Sequence, residues 1–163
     1  MATFPQSDVL AACAQYGPML KVAAGLDPVK VMIALASNES SIGANCGPRP
    51  EPFYQHSHQP EQVALNQKYG ELAWSSHGPW QMMFENFTPE TQEAIAAGTV
   101  QLADYATEFV RFFNMYVITV RKAVTLPQIG SVWNLGHIAP DPIYNVKLQA
   151  AYDAANYTQV QVN

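Results

Sequence analysis

The sequence has no long apolar run and little charge of either sign. No stretch approaches the roughly 20 apolar residues that a membrane-spanning helix needs, so we expect no membrane insertion. The 8 Lys and Arg residues are scattered and the formal net charge is −5, which argues against a nucleic-acid partner. The first residues lack the basic and apolar regions of a signal peptide, so we expect cytoplasmic synthesis without export through the secretory pathway.

Cysteine and metal-ligand patterns are equally sparse. Cys13 and Cys46 fit either two buried thiols or one disulfide that ties the first helix to a later loop, and the sequence leaves both alternatives open. The histidines lack the spacing of a zinc protease and have no suitably placed acidic or thiol partner, so we expect no metal and no cofactor. They are His56, His58, His77 and His137.

What the chain does contain is apolar residues at helical spacing. With 163 residues, of which 48% are hydrophobic, it can bury one core, so we predict a single domain over 1–163. We predict an all-α fold of about seven to eight helices, without a β-strand, around a long central helix at 99–124. The other predicted helices cover 7–16, 28–40, 60–74, 80–84, 88–98, 127–136 and 142–155, and a long irregular loop covers roughly 41–60.

Glu39 is the acidic residue with the most informative position. It lies in the last turn of the helix predicted over 28–40, which is otherwise hydrophobic, so its carboxyl should emerge at the edge of the core. Partial burial raises the pKa of a carboxyl group. A glutamic acid that stays protonated near neutral pH can donate the proton that cleavage of a glycosidic bond requires. A solvated glutamate at a helix end is the simpler alternative.

Three short segments share a pattern with a known family. They are residues 39–41 (Glu-Ser-Ser), residues 76–81 (Ser-His-Gly-Pro-Trp-Gln), and residues 133–136 (Trp-Asn-Leu-Gly) followed by Tyr144. In this order they resemble the "Glu-Ser", "Ser-x-x-Gly-Leu-Met-Gln" and "Tyr-Asn-x-Gly" blocks of soluble lytic transglycosylases and goose-type lysozymes. The resemblance covers nearly the whole chain. It implies a lysozyme-like fold and cleavage of the bond between N-acetylmuramic acid and N-acetylglucosamine in peptidoglycan.

The resemblance also assigns a role to each matched residue. Glu39 would be the catalytic acid, and the hydroxyl of Tyr144 would point at it. The other matched residues would contact the glycan: Ser76 near the cleaved bond, Gly78 where the backbone approaches the substrate, Gln81 along the cleft, and Asn134 on a sugar acetamido group. Taken singly, each also fits a turn, a helix end or core packing.

The departures from the pattern leave the subfamily open. Pro79 and Trp80 replace the usual Leu-Met, Trp133 replaces a tyrosine, and the segment 41–74 is longer than the family's connection. Residues 47–54 (Gly-Pro-Arg-Pro-Glu-Pro-Phe-Tyr) are also loosely similar to phage-type N-acetylmuramidases, in which a loop with an acidic residue covers the cleft.

The second catalytic group decides between two reactions. A hydrolase needs another carboxylate to activate water or act as nucleophile, whereas a transglycosylase uses the muramic acid's own 6-hydroxyl. Glu51 is a candidate because Pro50 and Pro52 hold its backbone stiff. Glu85 is another, one helical turn from Gln81. An exposed loop acid without a role is the alternative for Glu51.

Aromatic residues beside the motifs suit a sugar-binding cleft, although core packing would explain about half of them. They are Phe53, Tyr54, Trp74, Trp80, Trp133 and Tyr144. The competing interpretation is a non-catalytic glycan-binding or phage structural module. The absence of a signal peptide and of a wall-binding domain favours a phage endolysin or phage tail component, which acts on the cell wall, and we expect a monomer.

Overall fold

The most buried helix, α2, spans Pro28–Ser40. The Asp27 carboxylate caps it by accepting hydrogen bonds from the backbone N–H groups of Val29 and Lys30, at 2.9 and 3.2 Å. Residues 31–36 are all buried, so the middle of the helix has no solvent-facing side. Ser41 ends it in a left-handed conformation with φ of 54°. The segment predicted over 28–40 is therefore a helix, and the glutamate in its last turn emerges where the core ends.

The computed structural model describes residues 3–157, which are mostly helical. Besides α2, the described helices are α1 (Gln6–Tyr16), α3 (Pro52–Gln55), α4 (Pro60–Tyr69), α5 (Pro89–Ala97), α6 (Leu102–Phe112), α7 (Leu126–Leu135) and α8 (Pro142–Ala154). Short 3₁₀ turns cover Gly17–Met19, Gly70–Trp74 and Phe84–Asn86, and a π-helix over Phe113–Val120 continues α6. No helix of the described residues is both long and apolar enough to cross a membrane.

A small antiparallel sheet corrects the prediction of an all-α chain. Strands β1 (Arg49–Pro50), β2 (Ser75–His77) and β3 (Met82–Met83) pair in that order, with Arg49 opposite Ser76 and Ser76 opposite Met83. Strands of two or three residues are too short to show an alternating pattern in the sequence. The helix predicted over 80–84 was wrong, because a turn and β3 occupy that segment. The loop predicted at 41–60 contains β1 and α3.

The long helix predicted at 99–124 is not the single centre of the core. It begins at Leu102 and changes to a π-helix at Phe113, and only one of its faces is buried, through Phe109, Phe113 and Val117. α2 occupies the centre instead, and α8 packs along it. The Trp80 indole N–H donates to the Met32 carbonyl of α2 at 3.1 Å, which joins the turn between β2 and β3 to this core.

The two cysteines are buried free thiols in the structure, so the disulfide alternative is not realised. Burial raises the pKa of the Cys13 thiol to about 12. The Cys46 thiol, whose pKa burial also raises, donates to the Gly43 carbonyl at 3.1 Å. Both side chains therefore act as small packing groups.

Candidate active site

A cleft of about 490 Å³ lies between the small sheet and the helical wall formed by α7 and the α6–π-helix junction. Arg49, Glu51 and Tyr54 border one side, while Ser76 and Gln81 lie at its base. Glu39 reaches the cleft from the end of α2. Most of the predicted site residues are thus brought together: Glu39, Glu51, Tyr54, Ser76, Gln81, Trp133 and Asn134 all line this cleft, as do Phe53 and Glu85.

Glu39 presents a nearly buried carboxyl group to the cleft, with a side chain that is 8% exposed. The Tyr144 hydroxyl of α8 donates a hydrogen bond of 2.6 Å to its Oε1. Burial raises the pKa of Glu39, while the Tyr144 hydrogen bond and the positive charge of Arg49 lower it, and burial has the larger effect. The carboxyl group therefore retains its proton to higher pH than an ordinary glutamic acid.

Arg49 of β1 joins two carboxylates of the cleft. Its Nε donates to Glu51 Oε1 at 3.0 Å, and its Nη2 lies 3.5 Å from Glu39 Oε2. The arginine side chain is 52% exposed and that of Glu51 is 33% exposed, so solvent screens this pairing. The strand pairing of β1 with β2 fixes the backbone of Arg49 opposite Ser76 and so sets the guanidinium between the two acids.

Ser76 and Gln81 form a hydrogen-bonded pair at the base of the cleft. The Ser76 hydroxyl lies 3.0 Å from Gln81 Oε1 and 3.4 Å from Glu51 Oε1. The Gln81 side-chain amide donates to the Gly78 carbonyl at 2.9 Å. Gln81 also has a φ of 46°, an uncommon conformation for a residue with a side chain, and these bonds hold it in the turn. The turn thereby fixes the direction of the Gln81 carboxamide.

Asn134 lies exposed in the last turn of α7, at the opposite border of the cleft. Its amide donates to Asp141 Oδ2 at 2.7 Å. The other carboxylate oxygen of Asp141 accepts from the backbone N–H of Tyr144 at 3.3 Å and caps α8. Asp141 therefore connects the position of Asn134 to the start of the helix that carries Tyr144.

Aromatic rings cover the helical wall of the cleft. Phe112 and Tyr116 stack with ring centroids 5.2 Å apart, and Trp133 meets Phe112 edge-on at 6.0 Å. On the other side Phe53 is 82% exposed, and burial raises the pKa of the neighbouring Tyr54. Flat apolar faces near hydrogen-bonding groups are what pyranose rings bind.

Four predicted residues lie away from the cleft surface. Trp80 is 1% exposed and packs on Phe109 in the core, with centroids 4.9 Å apart. Gly78 is buried with a φ of 76°, and a Cβ there would come within 2.5 Å of the Tyr105 ring. Core packing therefore explains why this position requires glycine. Tyr144 lies behind Glu39 and not along the cleft. Trp74 does not line it either.

Sequence reasoning missed several residues of the site. Arg49 had no assigned role, although it was part of the segment compared with phage-type muramidases. Asp141 could have been recognised as a helix cap from the sequence Asp-Pro. The stacked pair Phe112 and Tyr116 is spaced i, i+4, but nothing in that spacing separates a cleft wall from a core face.

No group of three or more potential metal-ligating side chains occurs within residues 3–157. Comparisons with models of known protein families, with curated proteins and with solved structures give no match.

Proposed function

We propose that this chain is a peptidoglycan-degrading glycosidase, either a muramidase or a lytic transglycosylase, in which Glu39 is the general acid. The observation that carries the proposal is the burial of the Glu39 carboxyl at a cleft, with the Tyr144 hydroxyl 2.6 Å away. Burial favours the protonated acid, and the tyrosine fixes which oxygen can face a substrate. This is the arrangement required to protonate a leaving sugar oxygen.

The reaction begins when Glu39 donates its proton to the oxygen of the glycosidic bond. The bond from that oxygen to the anomeric carbon breaks, and positive charge develops on the sugar ring. In the hydrolytic branch, Glu51 removes a proton from water, and the water oxygen bonds to the anomeric carbon. In the other branch, the muramic acid 6-hydroxyl forms that bond and returns its proton to Glu39, which gives an anhydro sugar and needs no second carboxylate.

The position of Glu51 supports the hydrolytic branch. Glu39 and Glu51 contact the same guanidinium group, so they are no farther apart than the roughly 9.5 Å upper limit for glycosidase acid pairs. Glu85 lines the cleft as well, and burial raises the pKa of its carboxyl. A general base must be ionised, and burial shifts Glu85 toward its protonated form, which leaves Glu51 as the better candidate for the base.

Glycan recognition is assigned to both sides of the cleft. Asn134 and Gln81 offer carboxamides suited to hydroxyl and acetamido groups. Phe53, Tyr116 and Trp133 offer flat faces for the sugar rings. We also assign this helical domain to the lysozyme-like architecture. The arrangement that supports this assignment is an acid at the end of a buried helix, with a small sheet beside it and other helices across the cleft. Its substrate would place its action at the cell wall, in a phage endolysin or tail component.

A non-catalytic glycan-binding module is the second candidate, and Arg49 is the observation that favours it. A cation 3.5 Å from Glu39 stabilises the ionised carboxylate, which cannot donate a proton. Such a module would keep the aromatic cleft and use Glu39 only as a hydrogen-bond acceptor. Burial opposes this effect, which makes the enzyme the stronger proposal.

The test is mass spectrometry of soluble products released from purified peptidoglycan. Glu39→Gln is expected to abolish the release of soluble products because a side-chain amide has no acidic proton to donate. Glu71→Gln, at an exposed site, serves as the matched control. Anhydromuramic ends would identify a transglycosylase, and reducing muramic ends a muramidase. No release by the unsubstituted protein, or full release by Glu39→Gln, would overturn the assignment.

A further inference from the structure

Arg49 lies between two cavities. One is the main cleft, and the other, of about 300 Å³, is bordered by Asn45, Gly47 and Pro48. Glu39 and Gln81 also border both cavities, so the acid can be reached from either side. A substrate that extends past Glu39 from one cavity into the other must pass the guanidinium of Arg49.

The hydrogen bonds of Arg49 leave part of its guanidinium unused. A guanidinium has five N–H donors in a planar fork that matches a carboxylate. Within residues 3–157, its side chain donates only to Glu51 at 3.0 Å and to Glu39 at 3.5 Å, the second contact being at the limit of a hydrogen bond. The side chain is half-exposed. An incoming carboxylate can therefore bind the outer edge of the fork and replace the long contact to Glu39.

We infer that Arg49 is a specificity-determining residue that binds a carboxylate on the sugar whose glycosidic bond Glu39 cleaves. This inference rests on the proposed function, because peptidoglycan supplies the group: the lactyl ether on C3 of muramic acid, the sugar whose anomeric carbon takes part in that bond, ends in a carboxyl that is free on strands without peptide stems. Glycans that lack acidic groups offer Arg49 no carboxylate with which to form a charge-assisted pair. The ion pair with Glu51 keeps the guanidinium in place. When a substrate carboxylate replaces Glu39 as a partner of Arg49, the catalytic acid no longer has a cation beside it.

The experiment compares two substrates that differ in one group. Glycan strands freed of their peptide stems carry free lactyl carboxylates, and methyl esterification neutralises these while the sugars stay unchanged. Calorimetry gives the affinity of each strand, and product release gives kcat/KM. We expect the protein to prefer the free acid about tenfold in both, as for a charge-assisted bidentate pair. Arg49→Gln should remove the preference, and Lys68→Gln, which removes an exposed cation at a distant ion pair, should retain it.

One further variant keeps the outcomes distinct. Arg49→Lys keeps the charge but not the fork, so it should retain part of the preference, and it provides a second test if Arg49→Gln does not fold. Equal affinity for acid and ester, or a preference that persists in Arg49→Gln, would overturn the inference. If the protein binds the acid form selectively through Arg49 but releases no product, the inference stands as a binding property and the catalytic proposal fails.

Discussion

The hydroxyl of Tyr144 lies 2.6 Å from Glu39 Oε1, although the two residues are 105 positions apart in the sequence. The contact exists because α8 packs along α2. Burial raises the pKa of Tyr144, and the nearby Glu39 carboxylate raises it further, so the phenol keeps its proton and donates it in the hydrogen bond to Glu39. The helix packing therefore fixes both the direction and the hydrogen bonding of the Glu39 carboxyl.

Tyr144→Phe is expected to shift the pH dependence of lytic activity. Removal of the hydroxyl takes a hydrogen bond from the Glu39 carboxylate, so the pKa of Glu39 rises and the acid stays protonated to higher pH. The alkaline limb of the pH profile of kcat/KM should move to higher pH. The maximum of kcat/KM should fall about tenfold, because the carboxyl loses its orientation. Tyr152→Phe, on the same helix but bonded to the Asp27 backbone, is the control. An unchanged pH profile would show that the Tyr144 hydroxyl does not influence the protonation of Glu39.

Glu39→Gln is expected to stabilise the fold more at neutral pH than at acid pH. The pKa of Glu39 is raised on folding, so the stability it contributes is present at low pH and is lost as the pH rises through its folded pKa. Glutamine does not titrate, and its oxygen can still accept from Tyr144. We expect a melting temperature about 2–4 °C above that of the unsubstituted protein at neutral pH and a smaller gain in acid. A gain that is independent of pH would contradict the pKa shift.

Gly130→Ala tests the contact between α7 and α8. A Cβ at Gly130 would overlap Asn145 Oδ1, lie 2.8 Å from Leu148 and 3.4 Å from Tyr144. We expect a loss of about 1–3 kcal/mol in the free energy of unfolding, measured by urea denaturation, together with reduced activity because Tyr144 moves with α8. Gly130→Ser should lower the free energy of unfolding further, because its side chain is larger. If alanine leaves stability unchanged, the two helices do not approach as closely as described.

Asp141→Ala should weaken both a helix cap and the position of Asn134. Loss of an N-cap costs about 1 kcal/mol of stability. KM for glycan should rise because Asn134 loses its 2.7 Å partner. Asp141→Asn separates the effects, since asparagine still caps the helix but can place an amide N–H₂ against that of Asn134. It should keep the melting temperature and raise KM. A normal KM in both variants would exclude Asn134 from substrate binding.

The part of the site that was predictable from the sequence is the part carried by a long helix. The cap at Asp27 and the apolar run after it defined α2, and the position of Glu39 at its end followed. The helical wall was predictable in outline, because α6, α7 and α8 bury one face each. The helical part of the all-α prediction is therefore confirmed: the chain is mainly helical, with one small sheet that was not predicted.

The opposite side of the cleft could not be predicted for a physical reason. Arg49 and Ser76 come together through a pairing of two-residue and three-residue strands, whose side chains carry no periodic signal. Trp80 was assigned to the cleft from its place in a motif, but its indole N–H reaches a backbone carbonyl of α2 and draws the ring into the core. Long-range contacts decided both outcomes.

Glu51→Gln is expected to separate hydrolysis from transglycosylation. If Glu51 activates water, its amide variant should lose about 100-fold or more in kcat and release no reducing muramic ends, because the cleft keeps its shape but lacks the base. If the protein forms anhydro ends, the variant should retain most of its rate, since the 6-hydroxyl needs only Glu39. Glu85→Gln is the matched comparison, as it removes the other carboxylate of the cleft. Hydrolysis that survives Glu51→Gln but not Glu85→Gln would assign the base to Glu85 and leave Glu51 as the partner that holds Arg49.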